Sequence, residues 1–307
     1  MNVFSSLNYV LLHVIVRLGG MLMKNIFTRR EALGLGLGAV ALASSAATTV
    51  AQTKKKPAAK DANSVPEMDT FNKYGEDLET SLLLRTSPVA VKMLKSEAEI
   101  PEGAFRPKRD GGYHIAQCQA FGMSRRVGKT VAMLKQDHWC PTALMAYGMV
   151  GKAENMTMFR ESFQSFETGK YVGIVTAPLK NATFIPDVVL VYLNPAQLRG
   201  LLLNMMGDGQ SQVSYHFFLP SCGHCVVDPM ETEKYCIVLP DPGEYQRALA
   251  QEEELIFAVP QSKMPTMMAG VNRRGSSFRN QYMSMLPDFE QPQFYKDMFK
   301  GWGLDSE

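Results

Sequence analysis

Short apolar runs, bounded by Pro, Gly and Asn, divide the chain into a series of strands and helices. Leu78 to Leu84 reads as the end of a helix, and Val89 to Leu94 as a strand set off by Pro88. Gly111-Gly112 breaks the chain before a helix that carries Cys118 and the Arg125-Arg126 pair. Thr130 to Leu134 predicts a short strand, and a helix is expected from Pro141 to about Val150. Tyr171 to Ala177 is a further strand, followed by Val188-Val189-Leu190-Val191-Tyr192-Leu193. This near-continuous, β-branched run is the mark of a strand buried on both faces. Asn194-Pro195 then opens a helix to about Met206, with Pro at the favoured first position. This strand-to-helix junction is the clearest α/β unit in the pattern. Strands at Tyr235 to Leu239 and Leu255 to Val259, and a helix starting near Lys263, complete the series. No internal repeat is visible. The pattern predicts an α/β or α+β fold: a single domain with a mixed β-sheet flanked by helices, rather than an all-parallel sheet.

The first 51 residues break this pattern and resemble a twin-arginine signal peptide. Thr28-Arg29-Arg30-Glu31-Ala32-Leu33 is similar to the twin-arginine consensus, with Ala32 weaker than the usual Phe. A Leu-, Gly- and Ala-rich stretch from Leu33 to Ala47 follows, and the small residues Thr49-Val50-Ala51 precede Gln52. A spanning helix needs about 20 apolar residues, and this stretch is shorter and Gly-broken, so no stable membrane anchor is expected after cleavage. Met1 to Gly20 form a second apolar stretch, and Met21 or Met23 would each start a signal of ordinary length, which points to a start codon assigned too early. Were Met1 the true start, the extra stretch would hinder export or act as an anchor. Gln52 to Pro66, with Lys54-Lys55-Lys56-Pro57, is expected to be a disordered linker. The folded domain is placed at residues 67–307. The resemblance implies a periplasmic or otherwise exported protein with the twin-arginine translocase as a partner. That route carries folded proteins, often with a cofactor already inserted.

Cleavage changes the charge balance. The whole chain has 32 Lys and Arg against 30 Asp and Glu. Losing Arg17, Lys24, Arg29, Arg30 and Glu31 leaves a near-neutral domain with nothing to attract nucleic acid. Cysteine is the informative residue. All five Cys (118, 140, 222, 225 and 236) lie in the mature part. In an oxidising compartment the default is disulfides, but an odd number leaves one over. His114 precedes Cys118, His138 precedes Cys140, and His224 lies inside Cys222-Gly223-His224-Cys225; His216 is more than four residues from any Cys. Thiolate and imidazole are the ligands proteins use for transition metals.

Cys140 precedes Pro141 at an expected helix N-cap, where a thiolate is favoured; a small buried residue with a weak cap is the plainer reading. Cys118 on a helix face is either a ligand or a core residue. Cys222-Gly223-His224-Cys225 has three readings. It is similar to the redox site of protein disulfide isomerases, in which Cys222, His224 and Cys225 would form the active group. Pro220-Ser221 before it and Val226-Val227-Asp228-Pro229 after it suggest poor helix and argue against that reading. Its spacing also suits metal or iron–sulfur ligation, and a plain disulfide or inert loop is the third reading. Val226 in place of His excludes c-type haem attachment there. Arg273 and Arg274, with Arg279, form either an anion-binding group or a solvated basic loop. The Met pairs at 205-206 and 267-268 are either a thioether group of the kind that holds Cu(I) or, the commoner use of Met at helical spacing, core filling.

Several stretches, in order, resemble the domain of unknown function family 169. They are Leu84-Arg85-Thr86-Ser87-Pro88-Val89-Ala90-Val91-Lys92, Cys118 with its helix, Cys140-Pro141, and Pro186-Asp187-Val188-Val189-Leu190 with Asn194-Pro195-Ala196-Gln197. The Cys222 region, Ile237 to Gly243 and Leu255 to Pro260 follow. The resemblance implies a set of scattered Cys in which Cys118, Cys140 and Cys222 occupy matching places; Cys225 and Cys236 have none. Many members look cytoplasmic, so the export signal is a departure. No reaction follows from the resemblance. The sequence therefore leads to an exported protein that binds an iron–sulfur cluster or transition metal through Cys118, Cys140, Cys222 and Cys225. The alternatives are a thiol–disulfide oxidoreductase with a redox partner and a non-enzymatic ligand-binding protein.

Overall fold

The structure is a computed structural model that describes residues 67–151, 163–205, 213–217, 219–274 and 293–304. The export signal, the Met1 to Gly20 stretch, the linker, Met206 and Arg279 lie outside the described residues. Among the described residues seven strands, numbered in chain order, form one sheet in the order β2-β3-β1-β4-β7-β6-β5. They are β1 (Val89–Leu94), β2 (Val131–Leu134), β3 (Gly173–Pro178), β4 (Val188–Leu193), β5 (Val213–His216), β6 (Tyr235–Val238) and β7 (Leu255–Pro260). Every neighbouring pair is antiparallel except β5 and β6, which run parallel. The sheet is therefore mixed and the fold α+β. The β4-to-helix junction is not a parallel crossover unit, because β4 pairs antiparallel with both β1 and β7.

β4 shows how the pattern builds the molecule. All six of its residues are buried. Val189, Val191 and Leu193 enter one core layer, and Val188, Leu190 and Tyr192 enter the other. This is the period-two alternation of a strand covered on both faces. At about 1.5–3 kcal/mol for each large apolar side chain taken from water, this strand anchors both layers. One face is covered by helices α1 (Met68–Leu82), α4 (Pro195–Met205) and α8 (Met264–Arg274), through Phe71, Leu78, Leu201, Met264, Met267 and Val271. Met205, Met267 and Met268 are buried there, as core-filling methionines should be.

The opposite face carries shorter helices: α2 (Gln117–Gly122), α3 (Pro141–Ala146), α5 (Ser221–His224), α6 (Val227–Thr232) and α7 (Pro242–Arg247). A last helix, α9, spans Gln293–Gly301. Two sequence expectations are corrected on this face. The helix from Pro141 stops at Ala146, and Tyr147 and Gly148 turn the chain back. Val226 to Pro229 is not poor helix: Val227–Thr232 is helical, with Pro229 within the first turn, where its missing N–H has no partner to lose. Strand β5 and helices α7 and α9 were not anticipated from the pattern. Among the described residues no helix is long and apolar enough to cross a membrane.

Candidate functional site

Three of the five cysteines meet on the short-helix face. Cys118 lies on α2, Cys140 is the N-cap of α3, and Cys222 is on α5. Together with Gln117, Thr142, Pro220, Asp241, Gly243 and Arg247 they line a cleft of about 220 Å³. The thiols are separated by 22 and 82 residues in sequence, so only tertiary packing unites them.

The local structure explains the convergence. The segments before Cys118 and before Cys140 are zipped together: Ile115 N donates to Asp137 O at 3.0 Å and Trp139 N to Ile115 O at 3.2 Å. Gln119 Oε1 adds a second tie, accepting from Ala116 N at 2.8 Å and Trp139 Nε1 at 3.3 Å. Asp137 anchors this segment from within, accepting from Leu134 N, Lys108 N and the Arg106 guanidinium. Gly223 lets α5 lie against α3: a Cβ there would sit 3.1 Å from Ala146 Cβ. Gly122 allows the same close approach of α2 to Ala248 Cα, also 3.1 Å from a built Cβ. Asp241 then joins α5 to α7. Its Oδ1 accepts from Gly243 N at 2.7 Å and Glu244 N at 3.2 Å, the N-cap arrangement, while its Oδ2 accepts from Ser221 N at 3.0 Å. The buried Tyr147 hydroxyl donates to Cys222 O at 2.8 Å and fixes that turn from the core side.

Electrostatics set the protonation of these thiols. Burial pushes Cys222 well above the ordinary thiol range, and the Asp241 carboxylate adds to the shift. Burial raises Cys118 in the same direction, reinforced by Glu244 and Asp241. Without a cation, both stay protonated at neutral pH. A bound metal reverses this logic, since it deprotonates a coordinating thiol outright. All five cysteines are free thiols. Gln117 marks the cleft as a place for something else: it is fully buried, and among the described residues neither its amide N nor its O has a hydrogen-bond partner. A buried amide left unpartnered costs about 1–3 kcal/mol, which an occupant of the cleft would relieve.

Cys225 departs from the expected ligand set. It falls at the C-terminal end of the α5 turn, is fully buried among core residues, and does not line the cleft. Its Sγ donates to Cys222 O at 3.6 Å, and burial raises its thiol well above the ordinary range. His114 is exposed and lies before α2 rather than on it. His138 is buried beside the zipped segment, and burial lowers its imidazole to about 4. Arg273 and Arg274 close α8. Gln117, Asp241 and Arg247 were not singled out from the sequence. The Asp241-Pro242-Gly243 step, a capping residue followed by Pro at the first helical position, was the available signal.

A second constellation lies elsewhere on this face. Among the described residues, His216, Asp228 and Cys236 form a group of three whose ligand atoms all lie within 4.8 Å of one another. The cleft thiols do not form such a group. Two thiolates at about 2.3 Å from one zinc ion can be no more than about 4.6 Å apart, so the three as placed do not share a single ion. An iron–sulfur cluster, with several irons, separates its thiolates more widely.

The sequence profile of DUF169, described as an uncharacterised ArCR family, matches residues 77–270. The chain belongs to the DUF169 family. That match runs from α1 to α8 and includes every residue of the cleft. No curated protein and no solved structure matches the chain.

Proposed function

We propose that this DUF169 protein holds an iron–sulfur cluster on Cys118, Cys140 and Cys222. The observation that carries the reading is the convergence of three thiols from three separate helices on one cleft, with the unpartnered Gln117 amide beside them. The donor set fits: thiolates are the usual ligands of such clusters, and spacing wider than one zinc ion allows favours several metal atoms over one. Three thiolates fall one short of a four-cysteine set, which leaves a coordination position for a ligand from outside. The group would supply electron transfer or a Lewis-acidic iron. The chain's own residues hold the thiols: Tyr147 and Asp241 fix the Cys222 turn, and Gln119 with Trp139 fixes Cys118 against Cys140.

Export belongs to the same reading. The segment Thr28 to Leu33 resembles a twin-arginine signal, and that route delivers folded proteins. The group would be inserted in the cytoplasm, through the translocase the protein would pass folded, and its thiols would arrive already protected. The test is substitution within the thiol set. In protein purified without oxygen, Cys118→Ala, Cys140→Ala and Cys222→Ala should each remove visible absorbance, whereas Cys225→Ala should retain it. Absorbance that survives Cys222→Ala, or disappears only with Cys225→Ala, would refute the assignment.

A further inference from the structure

We propose a second, independent metal site at His216, Asp228 and Cys236 that takes a divalent transition-metal ion of the zinc class. The three residues come from β5, α6 and β6, and parallel pairing of the two strands creates the site. Ser214 lies opposite Cys236 in that pairing, and His216, two residues on, projects to the same face as Ser214. His216 Nε2 lies 2.7 Å from Asp228 Oδ2. His224 Nδ1 approaches the same oxygen at 2.8 Å, and the two imidazoles stack at 4.1 Å with 7° between their planes.

Three features point to an ion rather than a hydrogen-bonded network alone. Asp228 Oδ1 is buried and, among the described residues, unpartnered, although its other oxygen serves two imidazoles. One nitrogen, one oxygen and one sulfur ligand form a borderline-soft set that suits zinc and its neighbours and excludes calcium and magnesium. His224 provides the outer support that ligating carboxylates usually have, donating from Nδ1 to Asp228. Binding would release the thiol proton of Cys236 to solvent, while the Nε2 proton of the neutral His216 ring would pass to Nδ1 by exchange with water, leaving Nε2 free to ligate. A pocket of about 310 Å³, rimmed by Gln164, Thr232 and Lys234, opens beside His216 and Asp228. His216 and Asp228 face this space while Cys236 is fully buried; an ion held by the three would keep a fourth position on the pocket side for water or a small molecule, the arrangement of reactive rather than closed structural zinc sites.

The experiment uses cobalt(II) alone as the probe, titrated into the full chain after removal of metal by chelator. The variant Cys118→Ser/Cys140→Ser/Cys222→Ser removes the cleft thiols. It is expected to bind one equivalent of cobalt with a thiolate-to-cobalt charge-transfer band, which a further Cys236→Ser abolishes. Separately, His216→Ala, at a partly exposed position on an edge strand, should weaken uptake of one equivalent by roughly tenfold or more in the otherwise native chain. A triple variant with native circular dichroism but no charge-transfer band would overturn the site. So would a His216→Ala chain that binds cobalt as the native chain does. Because the first arm lacks the cleft thiols, its result is independent of the iron–sulfur assignment.

Discussion

Glu254→Ala should destabilise the domain far more than the neighbouring Glu253→Ala. Arg125 lies in the turn after α2, fully buried, and Glu254 is only 4% exposed. The guanidinium and carboxylate meet two-pronged, Nη1 to Oε1 and Nη2 to Oε2, both at 3.1 Å. Arg125 also donates to Thr86 Oγ1 and Ala248 O and lies 3.9 Å above the Tyr192 ring. Removing the carboxylate leaves a buried cation with two neutral acceptors and a ring face. Breaking such a pair costs about 3–5 kcal/mol, and the remaining contacts put this case near the lower end. For a domain of this size that is a fall in Tm of roughly 6–12 °C. Glu253 pairs with Arg85 at the exposed surface, and its loss should leave the urea midpoint within error of the parent protein. Replacing both buried partners, as Arg125→Met with Glu254→Leu, should recover more than half of the loss, because no unpaired charge remains. Urea unfolding followed by circular dichroism measures all four proteins. A Glu254→Ala loss below about 1 kcal/mol, or one matched by Glu253→Ala, would refute the reasoning. The pair matters to the site because it ties the Cys118 helix to Ala248, directly after α7.

Other consequences follow from the cleft and its surroundings. Burial raises Glu244 from 4.5 to about 8, with Asp241 adding to the shift while the Tyr192 hydroxyl opposes it. The folded state thus holds this proton more tightly than the unfolded chain. Its contribution to stability is full below about pH 4.5 and is lost as pH rises towards about 8, at up to about 1.4 kcal/mol per pH unit. Urea midpoints measured across this window should fall for the parent and fall less for Glu244→Gln; parallel curves would contradict the assignment. Gly243→Ala places a methyl 2.9 Å from Asp241 Oδ1 and 3.6 Å from Cys118 Sγ. It should lower iron retention while far-UV circular dichroism stays native, and unchanged iron content would count against a cluster in this cleft. Tyr147→Phe removes the 2.8 Å hydrogen bond to Cys222 O. It should cost about 1–2 kcal/mol and speed loss of the bound group, as read by the decay of visible absorbance in air. An unaltered decay would show that Tyr147 does not position Cys222.

The sequence was most legible where one strand buries both faces. β1 and β4 begin and end where their apolar runs do, because Pro88 and Asn194-Pro195 punctuate them sharply. β5 was missed for the opposite reason: Val213 to His216 is only partly buried and sits at the sheet edge, so it carries no apolar run. That omission also hid the His216 site. His216 is six residues from the nearest Cys and twenty from Cys236, and the strand pairing that sets it near Cys236 leaves no periodic trace. The scattered cysteines were readable as candidates, and three of them converge on the cleft. Cys225 was grouped with Cys222 by spacing alone, yet a single helical turn directs one thiol to the cleft and buries the other in the core. The sequence places Arg125 on the Cys118 helix beside Arg126, but nothing nearby marks it as buried, since its partner Glu254 is 129 residues away. The helix Val227–Thr232 is unfavourable by composition because it contains Pro229, yet a Pro in the first turn is compatible with a helix.

The most direct test of the central claim is the iron and acid-labile sulfide content of the chain purified without oxygen, read alongside its visible spectrum. The account predicts coloured protein with iron and sulfide in matching, stoichiometric amounts, both lost together in Cys222→Ala. Colourless protein without iron or sulfide, folded and with all five thiols reduced, would contradict it.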